Sequence, residues 1–159
     1  MLLLLQYTII FASVLMLVAL GGCFSEHSGV INLGLEGIML IGALGGAITL
    51  NVLGAKAPAG VIVLAVTLVS ILFGMLYSAL LGVACINFKA DQTLVGTAMN
   101  MLSVASATVI VKAMNAAKNP NNVSSTIEYF NPKKAFLIRI GGFEFNWFMV
   151  IAVVILIGA

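Results

Sequence analysis

Long stretches without Asp, Glu, Lys, Arg or His alternate with short polar ones. The uncharged runs cover residues 1–25, 37–55, 57–88, 92–111 and 145–159. About 20 apolar residues in a helix cross ~30 Å of hydrocarbon. Four of the runs meet that need, and the last is shorter, with Trp147 near its start as an interfacial anchor. The pattern therefore predicts about five spans, with helices near 3–21, from the polar stretch to about 53, 60–88, 93–111, and from about Asn146 onward. A straight helix over 60–88 is ~43 Å long, so it must tilt, kink or protrude. A chain that stops inside an apolar helix reads as a fragment or a truncated product.

The polar interruptions carry more information than the apolar runs. Residues 21–43 read GGCFSEHSGVINLGLEGIMLIGA, with Glu26, His27, Asn32 and Glu36 between two spans and glycines at Gly29, Gly34 and Gly37. Charge and flexible backbone beside membrane-length helices are costly, and they occur where something polar binds or passes. A broken or re-entrant segment is expected near 22–36. If the backbone is helical there, Asn32 and Glu36 share a face that Met39, Ala43 and Gly46 continue, turning Glu36 toward the bundle interior. The bland alternative is an interfacial carboxylate at a helix start, favoured by the macrodipole.

The fourth span also has a polar side. At 100° per residue, Thr93, Gly96, Thr97, Asn100, Ser103 and Ala107 fall together, opposite Leu94, Val95, Leu102, Val109 and Ile110. Such a stripe faces protein or a wet path, and interhelical packing and a solute path explain it equally well. Gly42/Gly46 and Gly74/Ser78/Gly82 repeat at four-residue spacing, which lets backbones approach closely. Between the third and fourth spans, Lys89 and Asp91 could pair across a tight turn, but a solvated interhelical loop is the preferred reading. Residues 112–144 form one polar inter-helix loop with Asn-Pro turns at 119–120 and 131–132.

Composition agrees with an all-α polytopic membrane bundle. The 159 residues are 62% hydrophobic and 8% charged, which a soluble domain of this length cannot hide. A net charge of +2 is too small to suggest nucleic acid as a partner, and no basic stripe appears. Cys23 and Cys85 have no metal-ligand spacing and read as small apolar fillers. Leu20-Gly21-Gly22-Cys23 resembles a lipoprotein cleavage box, but no Lys or Arg precedes the apolar run, so the first-helix reading is preferred. The Ser25-Glu26-His27 run is no catalytic array, because consecutive side chains diverge. No enzyme and no metal site is indicated, and no phosphate-binding Gly-x-x-x-x-Gly-Lys-Ser/Thr loop is present in the sequence.

The stretch at 21–43, followed by KADQTLVGTAMN at 89–100, resembles the permease subunit of ABC-type nucleoside importers, a branch related to the simple-sugar and branched-chain amino acid permeases. That branch runs Gly-Gly-x-Phe-Ser-Glu-Arg-Ser-Gly-Val-x-Asn-Ile-Gly-Leu-Glu-Gly. Gly21, Gly22, Phe24, Ser25, Glu26, Ser28, Gly29, Val30, Asn32, Gly34, Leu35, Glu36 and Gly37 match it, and Ala90, Asp91, Gln92, Gly96 and Asn100 match its second signature. His27 stands where arginine is usual. The family's permease is longer, and its ATPase-docking loop follows the fifth span, where this chain has ended.

The resemblance implies one permease domain over 1–159, the N-terminal portion of a multi-pass plasma-membrane protein. It implies a path for nucleosides bordered by Asn32, Glu36, Thr97 and Asn100. The partners it implies are an ABC ATPase subunit, a second permease subunit, an extracytoplasmic substrate-binding protein and the lipid bilayer. No cofactor belongs to this chain, and ATP belongs to the partner. A sugar or branched-chain amino acid permease, or a small membrane interaction protein that transports nothing, remain the alternatives. The family arrangement puts 112–144 outside, whereas Lys112, Lys118, Lys133, Lys134 and Arg139 would place it in the cytoplasm by the positive-inside rule.

Overall fold

A computed structural model describes residues 2–29, 31–53, 58–127, 137–140, 143–146 and 154. Among these, four helices are long and apolar enough to cross a membrane. They are α1 (Leu2–His27), α2 (Leu35–Leu53), α3 (Ala59–Ile86) and α4 (Gln92–Lys118). The polytopic helical architecture expected from the apolar runs is the one observed. Two short strands, β1 (Leu137–Ile140) and β2 (Phe143–Asn146), pair antiparallel with Leu137 opposite Asn146 and Ile140 opposite Phe143. The expected fifth span from about residue 146 lies outside the described residues, apart from Val154.

The chain divides into two compact units, 1–30 with 131–159 and 31–130. The first contains α1 and the β1–β2 hairpin. Expected to stop near Gly21, α1 continues to His27, because Ser, Glu and His do not by themselves end a helix. Gly29 ends it. Its φ of +80° is left-handed, and its N–H donates back to the Glu26 carbonyl at 2.9 Å. The interruption is thus shorter than the expected 22–36, since regular helix resumes at Leu35.

The second unit is α2, α3 and α4. Glycine decides which side of α2 is inside. Gly37, Ile41, Gly42, Leu44, Gly45 and Gly46 are buried. A Cβ at Gly45 would stand 2.7 Å from the Phe73 ring, and one at Gly46 would collide with the Ser70 hydroxyl. Close backbone approach supplies dispersion contacts where lipid offers no hydrophobic driving force. Gly42 and Gly46 both lie against Ser70, as the four-residue spacing suggested. The Gly74 repeat is used only in part: Gly74 faces Ile38, while Gly82 faces open space among the described residues.

Contacts along the helices fix their directions. Gly34 meets Leu81, Ile38 meets Gly74, and Gly46 meets Ser70, so α3 runs antiparallel to α2. Gly37 meets Asn100, and Lys118 Nζ donates to Asn51 Oδ1 at 2.7 Å, so α4 runs parallel to α2. The core joins Ile41 and Leu44 with Tyr77, Leu81, Met99 and Val111.

The expected end of the fourth span, and with it the expected start of the polar loop, is corrected. The fourth span does not stop at Val111 but runs to Lys118, because a terminal lysine extends a helix readily and complements its dipole. Asn119 is the C-cap, and Pro120 follows. Residues 112–118 are therefore helix, not loop. Asp91 caps the start of α4, its Oδ1 accepting from Thr93 N at 2.8 Å and Leu94 N at 3.2 Å.

Candidate functional site

The site is the non-helical segment 31–34, the first turn of α2 and the first three turns of α4. A helix that starts inside a membrane has four backbone N–H groups without intrahelical partners and no water to satisfy them. Here Gly34 precedes α2, and its carbonyl accepts the first intrahelical bond, from Ile38 N at 3.0 Å. Asn32 Oδ1 accepts from Gly34 N at 3.0 Å, closing a local turn. Asn100 supplies both halves of its carboxamide. Its Oδ1 accepts from Gly37 N at 2.7 Å, and its Nδ2 donates to the Leu33 carbonyl at 2.9 Å. Gln92 Oε1 accepts from Ile31 N at 3.1 Å.

Two glycines allow this approach. A Cβ on Gly96 would lie 3.0 Å from Gly34 N and 3.1 Å from the Leu33 carbonyl carbon. One on Gly37 would lie 2.9 Å from Asn100 Oδ1, 3.1 Å from the Met99 carbonyl oxygen and 3.1 Å from Ser103 Oγ. Behind the contact, the Tyr77 hydroxyl donates to the Met99 carbonyl at 2.7 Å and Ser103 Oγ to the Asn100 carbonyl at 2.7 Å. Ser103 is 1% exposed, so the wall of the site is dry on that side.

Depth follows from the sequence. The uncharged run 92–111 is ~30 Å long as helix, and Asn100 stands ~12 Å along it. Along that run the polar crossing lies ~12 Å in from the Asp91 cap.

The four sequence candidates separate into two pairs. Asn32 and Asn100 are half-buried, and both bind backbone. Glu36 and Thr97 are exposed. The expectation that Glu36 turns inward with Asn32, Met39 and Ala43 does not hold. Glu36, Met39 and Ala43 are exposed, because the glycine face of α2 takes the inside and Asn32 lies outside the helix. The Thr97 hydroxyl bonds to its own helix, to the Thr93 and Leu94 carbonyls at 3.0 Å each. Within the proposed polar stripe of α4, Gly96 and Ser103 are buried and Thr93 is exposed.

The signature residues have local roles. Gly29 ends α1, the Ser25 carbonyl accepts from Ser28 Oγ at 2.6 Å, and the Glu26 carbonyl accepts from Gly29 N. Gly34 and Gly37 allow close approach, while Asp91 and Gln92 hold the start of α4 and residue 31. Tyr77 was missed by the sequence reading, and nothing in its apolar neighbourhood signals a hydroxyl aimed at another helix. Among the described residues, no three of His, Cys, Asp and Glu gather as metal ligands.

Comparison with known proteins gives these residues a context. The family described as branched-chain amino acid transport system / permease component matches residues 4–158. The guanosine ABC transporter permease protein NupQ of Bacillus subtilis is 44% identical over 110 residues, 66% of this chain and 33% of that protein. The nucleoside ABC transporter permease protein NupC of Lactococcus lactis is 32% identical over 131 residues, 77% of this chain and 38% of that protein. A Haloferax volcanii protein whose name assigns it to a glucose ABC transporter permease is 39% identical over 100 residues, 62% of this chain and 28% of that protein. These alignments span about a third of each relative's length. No solved structure matches.

Proposed function

From the premise that this chain belongs to the family of branched-chain amino acid transport system permease components, we propose that it borders the solute path of an ABC-type importer for nucleosides. The observation that carries the reading is the place of Glu36. Its side chain is exposed on the first turn of α2, beside Gly37, whose N–H is held by Asn100 ~12 Å along the uncharged run of α4. A charged side chain facing lipid there costs about 2.5–3.5 kcal/mol on the translocon scale and more by other measures. Water or polar protein is the surrounding in which it is stable. Thr97 on α4 is exposed as well.

Nucleosides fit such a surface because their hydroxyls and base edges donate and accept without carrying charge. The path has to meet these groups briefly and release them, so exposed oxygens on a firm wall suit it better than a closed pocket. Similarity to the guanosine and nucleoside permeases supports this solute class. In this reading a partner ATPase hydrolyses ATP, a second permease completes the path, and an extracytoplasmic binding protein delivers the solute.

The test is uptake of labelled guanosine, other nucleosides, glucose and leucine by cells carrying the complete importer. Nucleoside uptake that Glu36→Leu lowers at least tenfold, with normal membrane abundance, is expected. Uptake of glucose or leucine alone would reassign the solute, and wild-type uptake in the Glu36→Leu variant would remove Glu36 from the path.

A further inference from the structure

The Asn100 carboxamide joins two atoms on opposite sides of the α2 start, the Leu33 carbonyl before it and the Gly37 N–H within it. Each lies more than sixty positions away in sequence. Gln92 holds Ile31 from a point two turns earlier on α4, and Gly96 sits between them against Gly34. Three consecutive turns of α4 thus grip the whole segment 31–37 by its backbone. Backbone contacts are indifferent to the side chains they hold, and they restrain translation and rotation together.

We propose that Asn100 is a positioning residue: it fastens segment 31–37 to α4, so that the two move as one body and carry Glu36 at a fixed place in the wall. The inference deepens the reading of this site as a path for polar solute, and it makes Asn100 a part of the scaffold instead of a solute contact. The carboxamide is suited to this because it alone among short side chains offers a donor and an acceptor side by side. Asn100 Oδ1 and Nδ2 each commit one of their two hydrogen-bonding positions to backbone, so a solute meets the carboxamide only at the positions left over.

Hydrogen–deuterium exchange of the full-length, membrane-embedded permease tests the fastening directly. In Asn100→Leu, exchange in the peptide bearing Gly37 should rise about fivefold to tenfold, the loss of one hydrogen bond, while peptides of the α2–α3 contact around Gly46 and Ser70 keep their protection. Asn100→Asp keeps an acceptor for Gly37 N–H and lacks the donor to Leu33, so protection at Gly37 should return toward wild type. That variant also guards against a general folding defect in the leucine form. Unchanged exchange at Gly37 in Asn100→Leu would overturn the proposal.

Transport supplies the second readout. A positioning residue lowers uptake of all nucleosides by a similar factor and leaves their order in competition unchanged. A reordered series would show that Asn100 touches solute and would overturn the assignment. Exchange reports the fastening whether or not the solute is a nucleoside, so it can succeed where the transport reading fails.

Discussion

Replacing Gly37 by alanine is the sharpest single probe of the α2–α4 contact. In an open helix position the change is favourable by up to about 1 kcal/mol, because alanine loses less backbone entropy. At Gly37 the added methyl meets Asn100 Oδ1 at 2.9 Å, the Met99 carbonyl oxygen at 3.1 Å and Ser103 Oγ at 3.1 Å. The Met99 carbonyl belongs to the α4 backbone and cannot step aside. Either α2 retreats or the Asn100 carboxamide leaves, which forfeits two hydrogen bonds at about 1 kcal/mol each. Overpacking adds about 1–3 kcal/mol. With the propensity gain set against these, the net loss is about 2–4 kcal/mol. Thermal unfolding of the purified full-length permease in detergent measures it, with Gly82→Ala as the internal standard. Gly82 has open space around its Cα on α3, so that change should be neutral or stabilising. A Gly37→Ala protein that melts with, or above, the Gly82→Ala protein would refute the close approach and the reasoning built on it.

Three further changes probe the frame around the site. Asp91→Ala removes the cap of α4 and should cost about 1 kcal/mol, seen as a lower melting temperature that Asp91→Asn largely restores. Tyr77→Phe deletes the hydroxyl bonded to Met99 O and should cost about 1 kcal/mol in the same assay. Asn115→Ala releases Nδ2 from the Ser124 and Thr126 carbonyls, so limited proteolysis within 119–127 should quicken roughly tenfold, whereas Lys118→Ala should leave it near wild type.

The helices were legible because the membrane imposes a length. α2 ends at Leu53 and α3 starts at Ala59, close to the limits the uncharged runs set. α1 and α4 overran those limits because the apolar window measures hydrocarbon, whereas a helix ends where a cap or breaker ends it, at Gly29 and at Asn119-Pro120. The site was legible only as a set of misplaced polar residues. Asn32 and Asn100 were recognisable as costly, but their partners are backbone atoms, which have no sequence signature. The inward direction expected for Glu36 came from extending helical periodicity back through Asn32. Asn32 instead folds onto Gly34 N, and the glycines of α2 outweigh the periodicity in choosing the inner face.

The unequal lengths of α2 and α4 leave one flank of α4 to be lined by other backbone. α2 has 19 residues, ~28 Å, against 27 residues and ~40 Å for α4, and their C-terminal ends are level at Asn51 and Lys118. Most of the shortfall therefore falls at the other end, where the non-helical segment 31–34 lies along α4 beside Gln92, Gly96 and Asn100. Over roughly 9 Å on that flank the backbone beside α4 is not helical, and its N–H and C=O groups depend on Gln92, Asn32 and Asn100 for partners. Such a stretch tolerates lipid least of all the backbone in this unit, so that flank is the one that must be kept against other protein or water.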